Sequence, residues 1–275
     1  MISRKRGLFR VPAVVHQEET PLLYTNDLAV SYNGALVLLG VSFAVTTGER
    51  IAVVGPNGAG KSTLFKVLAG VLSPTSGEVR VAGHDPGGHI CIAYLPQRSE
   101  VDWRFPVTVY DVVMMGRYGK IGFLARPSKD DRAQVQQALA VVGMDGLAQR
   151  QISELSGGQQ QRMFIARALA KEAELILMDE PLAGLDMPAQ EQILEILDSL
   201  RDRQTTVMVA THDLNLASEY FDRLILLKAK LIGIGKPEEV LTADNLTEAY
   251  GGHLRLVETE DGIFVLQDTC CGGGH

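Results

Sequence analysis

Nine residues constrain this chain more than any other stretch: Gly55-Pro-Asn-Gly-Ala-Gly-Lys-Ser-Thr63. They match the pattern Gly, four residues, Gly-Lys-Ser/Thr. The run Arg50 to Val54 (RIAVV) before them is nearly all apolar, as a buried central strand requires, and Lys61 to Val71 after them has helical spacing. Strand, Gly-rich loop and helix is the context of a phosphate-binding loop. Glycines at Gly55, Gly58 and Gly60, with Pro56, Asn57 and Ala59 between them, let successive backbone N–H groups turn toward phosphate oxygens. The helix adds the positive end of its dipole. Lys61 reaches β- and γ-phosphates, and the Ser62 hydroxyl is a Mg²⁺ ligand. The loop by itself does not separate kinases, GTPases and transport ATPases.

Further apolar runs build the sheet that such a loop needs. Leu175 to Met178 and Thr206 to Ala210 read as buried strands, with helices predicted at Ser156 to Lys171 and Pro188 to Arg203. Alternating strands and helices predict an α/β fold with a parallel P-loop NTPase core. Leu22 to Val45 alternates like antiparallel strands around Asn33-Gly34, and Gly77 to Val81 and Ile90 to Leu95 read as further strands. Leu224 to Leu227 and Leu231 to Gly235 form a closing hairpin. Helical spacing at Val107 to Gly116 and Ser128 to Val142 predicts a helical subdomain over about residues 98–170. Residues 1–20 are expected to be a flexible tail, 21–255 the main domain, and 256–275 an extension ending in a disordered tail.

Both strands end in chemistry. Asp179 and Glu180 follow Leu175-Ile-Leu-Met, and the end of a buried parallel strand delivers its residues to the ligand crevice. There Asp179 is expected to hold Mg²⁺, and Glu180 to act as general base or to orient water. His212 follows the third strand and is expected near the same phosphate. Ser156-Gly157-Gly158-Gln159 precedes another helix and makes a second anion site, with Ser156 as its cap. One nucleotide needs only one such site, so the second points to the nucleotide of another copy.

At this combination the chain resembles the ATP-binding cassette (ABC) family, from about Leu22 to Gly235. GPNGAGKST, ending at Thr63, resembles its phosphate loop, LSGGQQQR from Leu155 its signature, and LILMDEP its second acidic motif. By the same resemblance Tyr32 stacks on adenine, Gln97 contacts Mg²⁺ and the catalytic centre, LAGLD ending at Asp186 forms a nucleotide-contacting loop, and His212 is the switch histidine. The resemblance implies ATP and Mg²⁺ as ligands and a head-to-tail homodimer with two ATP molecules between loop and signature. Hydrolysis in that dimer drives a membrane permease.

Composition narrows the alternatives. The formal net charge is −7, which disfavours a sequence-independent grip on nucleic acid. No apolar run reaches the roughly 18 residues of a membrane span, and Arg10 and Pro12 interrupt any signal-peptide core. A membrane role is therefore expected through a partner, at the cytoplasmic face. Three cysteines, Cys91, Cys270 and Cys271, suggest no disulfide framework. An ABC ATPase acting on DNA or ribosomes, and a binding module without turnover, are the competing readings.

Six of the 16 aromatic residues fall between Tyr94 and Phe123, with Met114 and Met115 among them. Such a cluster is expected to be a docking groove for a partner helix, or a compact helical core. The wording of residues 97–131 resembles importers of manganese, zinc or iron, most of all manganese/iron, which implies an extracytoplasmic metal-binding protein as an indirect partner. An importer of metal chelates is the alternative. Cys270, Cys271 and His275 offer metal ligands but are too few for a complete site.

Overall fold

The computed structural model describes residues 21–32, 34–87, 91–122, 125–251, 254–259 and 262–267, the last two segments through their backbone. The N-terminal tail, Phe123 and the Cys270-Cys271-His275 tail lie outside them.

Strands β1 (Leu23–Tyr32) and β2 (Ala35–Val45) form an antiparallel pair, and β3 (Arg50–Val54) leads into helix α1 (Lys61–Leu68). Then come β4 (Ser76–Val81), β5 (Ile92–Leu95), α2 (Val109–Met115), α3 (Tyr118–Ile121), α4 (Lys129–Val141) and α5 (Gly157–Lys171). The chain continues through β6 (Leu175–Asp179), α6 (Met187–Ser199), β7 (Thr206–Thr211), α7 (Leu214–Tyr220), β8 (Arg223–Lys228) and β9 (Lys230–Gly235). It closes with α8 (Pro237–Val240), α9 (Ala243–Tyr250) and the hairpin β10 (Leu254–Thr259) and β11 (Gly262–Gln267).

The main sheet has six strands in the order β5-β6-β7-β3-β8-β9; neighbours pair in parallel except β8 with β9. β3, β6 and β7 are buried at every position. Their alternating side chains divide between two layers. Ile51, Val53, Leu175 and Leu177 face α1 and, beyond it, the smaller antiparallel sheet β2-β1-β4. Ala52, Val54, Ile176 and Met178 face α5, α6 and the remaining helices. The parallel core, the antiparallel β subdomain and the helical region thus form as the sequence predicts.

Short-range chemistry sets the helix starts. Thr108, Ser128 and Ser156 cap α2, α4 and α5, each with a reciprocal bond from the residue three positions on. The helical region is held by Arg117, which is 8% exposed. It bonds Asp131 at 3.0 Å, Glu172 at 2.6 Å and the Ala170 carbonyl at 2.8 Å. Two predicted helices end early. α1 stops at Leu68 because Ala69 and left-handed Gly70 turn the chain. α6 stops at Ser199, and Arg201–Arg203 forms a separate 3-10 turn. Helix α7, capped by Asp213, has no counterpart in the sequence reading; with seven residues it is too short for a clear period.

Candidate active site

Register brings the chemistry to one edge. Val54 pairs with Thr211, and Asp179 with Ala210. The phosphate loop, Glu180 and His212 therefore leave the sheet side by side at its C-terminal edge.

The loop conformation demands its glycines. A Cβ on Gly55 would lie 2.1 Å from the Leu227 carbonyl oxygen, and one on Gly60, at φ 98°, would lie 2.6 Å from Leu38 Cδ2. The Ala59 carbonyl accepts from Ala229 N–H, and the Ala229 carbonyl from Leu39 N–H, at 2.9 and 2.7 Å. The loop is thereby laced to the β8–β9 turn and to β2. Lys61 is 7% exposed; its ammonium donates to the carbonyls of Gly55 and Pro56 at 2.8 and 3.2 Å. Burial pulls its pKa down, against the carboxylates of Glu180 and Asp179.

Asp179 ends β6 and is 3% exposed. The Ser62 hydroxyl neighbours its carboxylate and favours the ionised form, while Oδ1 has no hydrogen-bond partner among the described residues. Burial pushes this carboxyl above the usual range; the nearby Ser62 hydroxyl opposes the shift and the charge of Glu180 adds to it. A buried polar atom without a partner costs about 1–3 kcal/mol. An orphaned carboxylate oxygen beside a hydroxyl is a hard donor set that fits Mg²⁺.

Asp179→Asn should therefore raise the stability of the nucleotide-free chain. Because the folded pKa lies above the unfolded one, the penalty is full above the folded pKa and is relieved as pH falls through it. Asparagine removes the cost of burying the charge, and its pH dependence, while one amide atom still takes the unpartnered position. Each kcal/mol relieved should raise the melting temperature by about 2–4 °C, while Mg²⁺ with ATP should no longer stabilise the variant. Melting curves with and without Mg²⁺ and ATP check both; an unchanged Mg²⁺-dependent shift contradicts this reading of Asp179.

Glu180 takes a left-handed φ of 50° and is held by its N–H to the Ala210 carbonyl at 2.9 Å. The turn points its side chain away from the strand, at 10% exposure. Oε1 lies 4.0 Å from Lys61 Nζ and Oε2 lies 2.9 Å from His212 Nδ1. With the carboxylate ionised, Nδ1 carries the proton and Nε2 is the ring's remaining polar atom. Loop lysine, carboxylate and histidine thus form one chain of contacts.

The other predicted residues stand apart from this chain. Tyr32 ends β1 and is 43% exposed. Gln97 is exposed ahead of the 3-10 turn Arg98–Glu100, and its side chain makes no hydrogen bond to the described residues. That turn is tied to α1 by the Lys66–Glu100 ion pair at 2.7 Å. Asp186 caps α6, accepting from Ala189 N–H at 3.2 Å. Ser156 and Gln159 bond each other, and no hydrogen bond or ion pair among the described residues joins residues 156–159 to residues 55–63.

Two residues escaped the sequence reading. Arg98 Nε donates to Gln160 Oε1 at 2.6 Å, and Gln160 is 5% exposed. Gln160 lies on the face of α5 that also buries Met163 and Phe164. A polar residue in that register requires a partner, which was the available signal.

The family profile described as ABC transporter matches residues 38–183. The chain belongs to the ABC transporter family, as an ATP-binding, ATP-hydrolysing cassette. Its relatives include the manganese transport system ATP-binding protein MntB of Bacillus subtilis, 45% identical over 85% of this chain and 94% of that one. The zinc transport system ATP-binding protein TroB of Treponema pallidum is 46% identical over 83% of this chain and 86% of its own length. Among solved structures, an inward-facing putative metal-chelate type ABC transporter superposes with a TM-score of 0.77 at 32% identity, covering 90% of this chain and 96% of that chain. No described helix is long and apolar enough to cross a membrane.

Proposed function

We propose that this cassette powers an importer of divalent metal ions, manganese first, with zinc or iron as the other candidates. The observation that carries the reading is the 45–46% identity, over more than four fifths of the chain, to ATP-binding proteins of manganese and zinc systems. The likeness to a metal-chelate type transporter keeps that cargo class as the second reading.

In this proposal the loop Gly55–Thr63 wraps the ATP phosphates, and Tyr32 stacks on the adenine. Lys61 neutralises the terminal phosphates. Ser62, Asp179 and Gln97 hold Mg²⁺, whose part is to offset phosphate charge. Glu180 takes the proton of the attacking water, and His212 orients Glu180 through the 2.9 Å contact. Ser156–Gln159 and Asp186 face the ATP of a second copy. No hydrogen bond or ion pair among the described residues joins Ser156–Gln159 to the phosphate loop of their own chain, which supports that arrangement.

The cassette acts from the cytoplasmic face through a permease. Phe105, Tyr118 and Met115 are 58%, 55% and 37% exposed in the helical region, large apolar surface available to a partner helix. Trp103 and Met114 instead pack inward, Trp103 edge-on to Phe164 at 5.6 Å. The cluster divides between exposed residues that a partner helix would cover and buried ones that belong to the core. Reconstitution with its permease and an extracytoplasmic binding protein tests the cargo. Uptake of Mn²⁺ that survives excess Mg²⁺ and Ca²⁺ is expected. ATPase stimulation by a metal chelate but by none of Mn²⁺, Zn²⁺ or Fe²⁺ would transfer the assignment to the second reading.

A further inference from the structure

Gln160 joins two loops that the sequence keeps far apart. Its Oε1 accepts from Arg98 Nε at 2.6 Å and its Nε2 donates to the Leu155 carbonyl at 3.2 Å. This pattern fixes the orientation of the amide, because the reverse would set two donors against each other. Leu155 and Gln160 bracket Ser156–Gln159, so one side chain clamps both ends of that segment. The Arg98 guanidinium also lies directly over Gly157: a Cβ there would sit 2.8 Å from Nη1 and 2.9 Å from Leu185 Cδ2. On its other side the Arg98 turn is anchored. Glu100 pairs with Lys66 of α1 at 2.7 Å, and the Arg98 carbonyl accepts from Trp103 Nε1 at 3.1 Å. Among the described residues no carboxylate pairs with Arg98. A continuous set of contacts therefore runs from the helix behind the phosphate loop, through the segment after Gln97, to the Ser156–Gln159 segment of the same chain.

We propose that Arg98 is a positioning residue that couples the two nucleotide sites of the dimer. ATP seated on the phosphate loop of one chain fixes the Gln97–Glu100 turn. Through Arg98 and Gln160 that turn sets Ser156–Gln159 in register for the ATP held by the partner. The inference rests on the sandwich dimer proposed above. A charge-assisted hydrogen bond sized at about 1.5–3 kcal/mol corresponds to roughly a tenfold or greater change in an equilibrium.

The test uses the full chain carrying Glu180→Gln, titrated with ATP and Mg²⁺. Binding of a fluorescent ATP analogue to dilute monomer and the dimer dissociation constant are read separately. Arg98→Ala should leave monomer binding within about twofold and weaken the dimer by about tenfold. Gln160→Met, which preserves volume, should do the same, and the double variant should be no worse than either single one. Arg98→Lys keeps the charge but loses the fixed fork, and should restore less than half of the effect in free energy. An unchanged dimer constant in Arg98→Ala, additive losses, or full rescue by lysine overturns the coupling. Failure of the Glu180→Gln parent itself to dimerise overturns the sandwich reading, and the coupling with it.

Discussion

Glu180→Gln should bind ATP and hydrolyse it about 10²–10⁴ times more slowly than the parent chain, the range for losing a general base. The substitution is nearly isosteric. It keeps an acceptor for His212 Nδ1 at 2.9 Å and the backbone bond from Glu180 N–H to Ala210, so the site should stay assembled. What it removes is the proposed proton acceptor, together with the negative charge 4.0 Å from Lys61. Losing that charge relieves repulsion toward the ATP phosphates, so nucleotide affinity should hold or improve. Single-turnover hydrolysis alongside equilibrium binding separates the two effects. A rate within tenfold of the parent would place the base elsewhere.

Lys61→Ala should lose the nucleotide as well as the chemistry. The lysine is 7% exposed, in a pocket of backbone carbonyls between two acidic side chains. In the proposed binding mode, removing it deletes one or two charge-assisted bonds to phosphate, each worth about 1.5–3 kcal/mol, or about tenfold to a hundredfold in affinity. It also leaves Glu180, 10% exposed, without its neighbouring cation and facing an incoming polyanion. The expected result is ATP affinity at least about tenfold weaker and turnover down by about two orders of magnitude or more. Isothermal titration and a phosphate-release assay check it. Parent-like turnover in this variant would contradict the role given to Lys61.

Much of this site was legible because it is built from local signals at strand ends. RIAVV, LILMD and TVMVAT are buried at every position, and runs of that kind predict central parallel strands. Central strands deliver whatever follows them to one edge, so Gly55, Glu180 and His212 converge without any contact being known beforehand. The helix caps were legible for the same reason, since Ser156 and Gln159 meet within one turn. The missing parts depend on long-range pairing. The left-handed turn at Glu180, which aims its side chain at His212, is held by a bond to a neighbouring strand. Arg98 meets Gln160 across 62 positions, and Arg117 joins α4 to the end of α5 across 14 and 55. A sequence shows that a buried glutamine or arginine needs a partner, but the fold chooses which one. The early end of α1 is of the same kind: the helical period continues toward Val71, yet Gly70 packs against Gly87 and turns the chain first.

In the proposed dimer each ATP is shared between the phosphate loop of one copy and Ser156–Gln159 of another. Light scattering on Glu180→Gln with saturating ATP and Mg²⁺ tests it most directly. The mass should double from the 29.8 kDa of one chain, with two ATP molecules retained per dimer, and Ser156→Arg in the same background should abolish the doubling while monomer ATP binding persists. A particle that stays at 29.8 kDa with ATP bound, or a dimer indifferent to Ser156→Arg, would contradict the composite site.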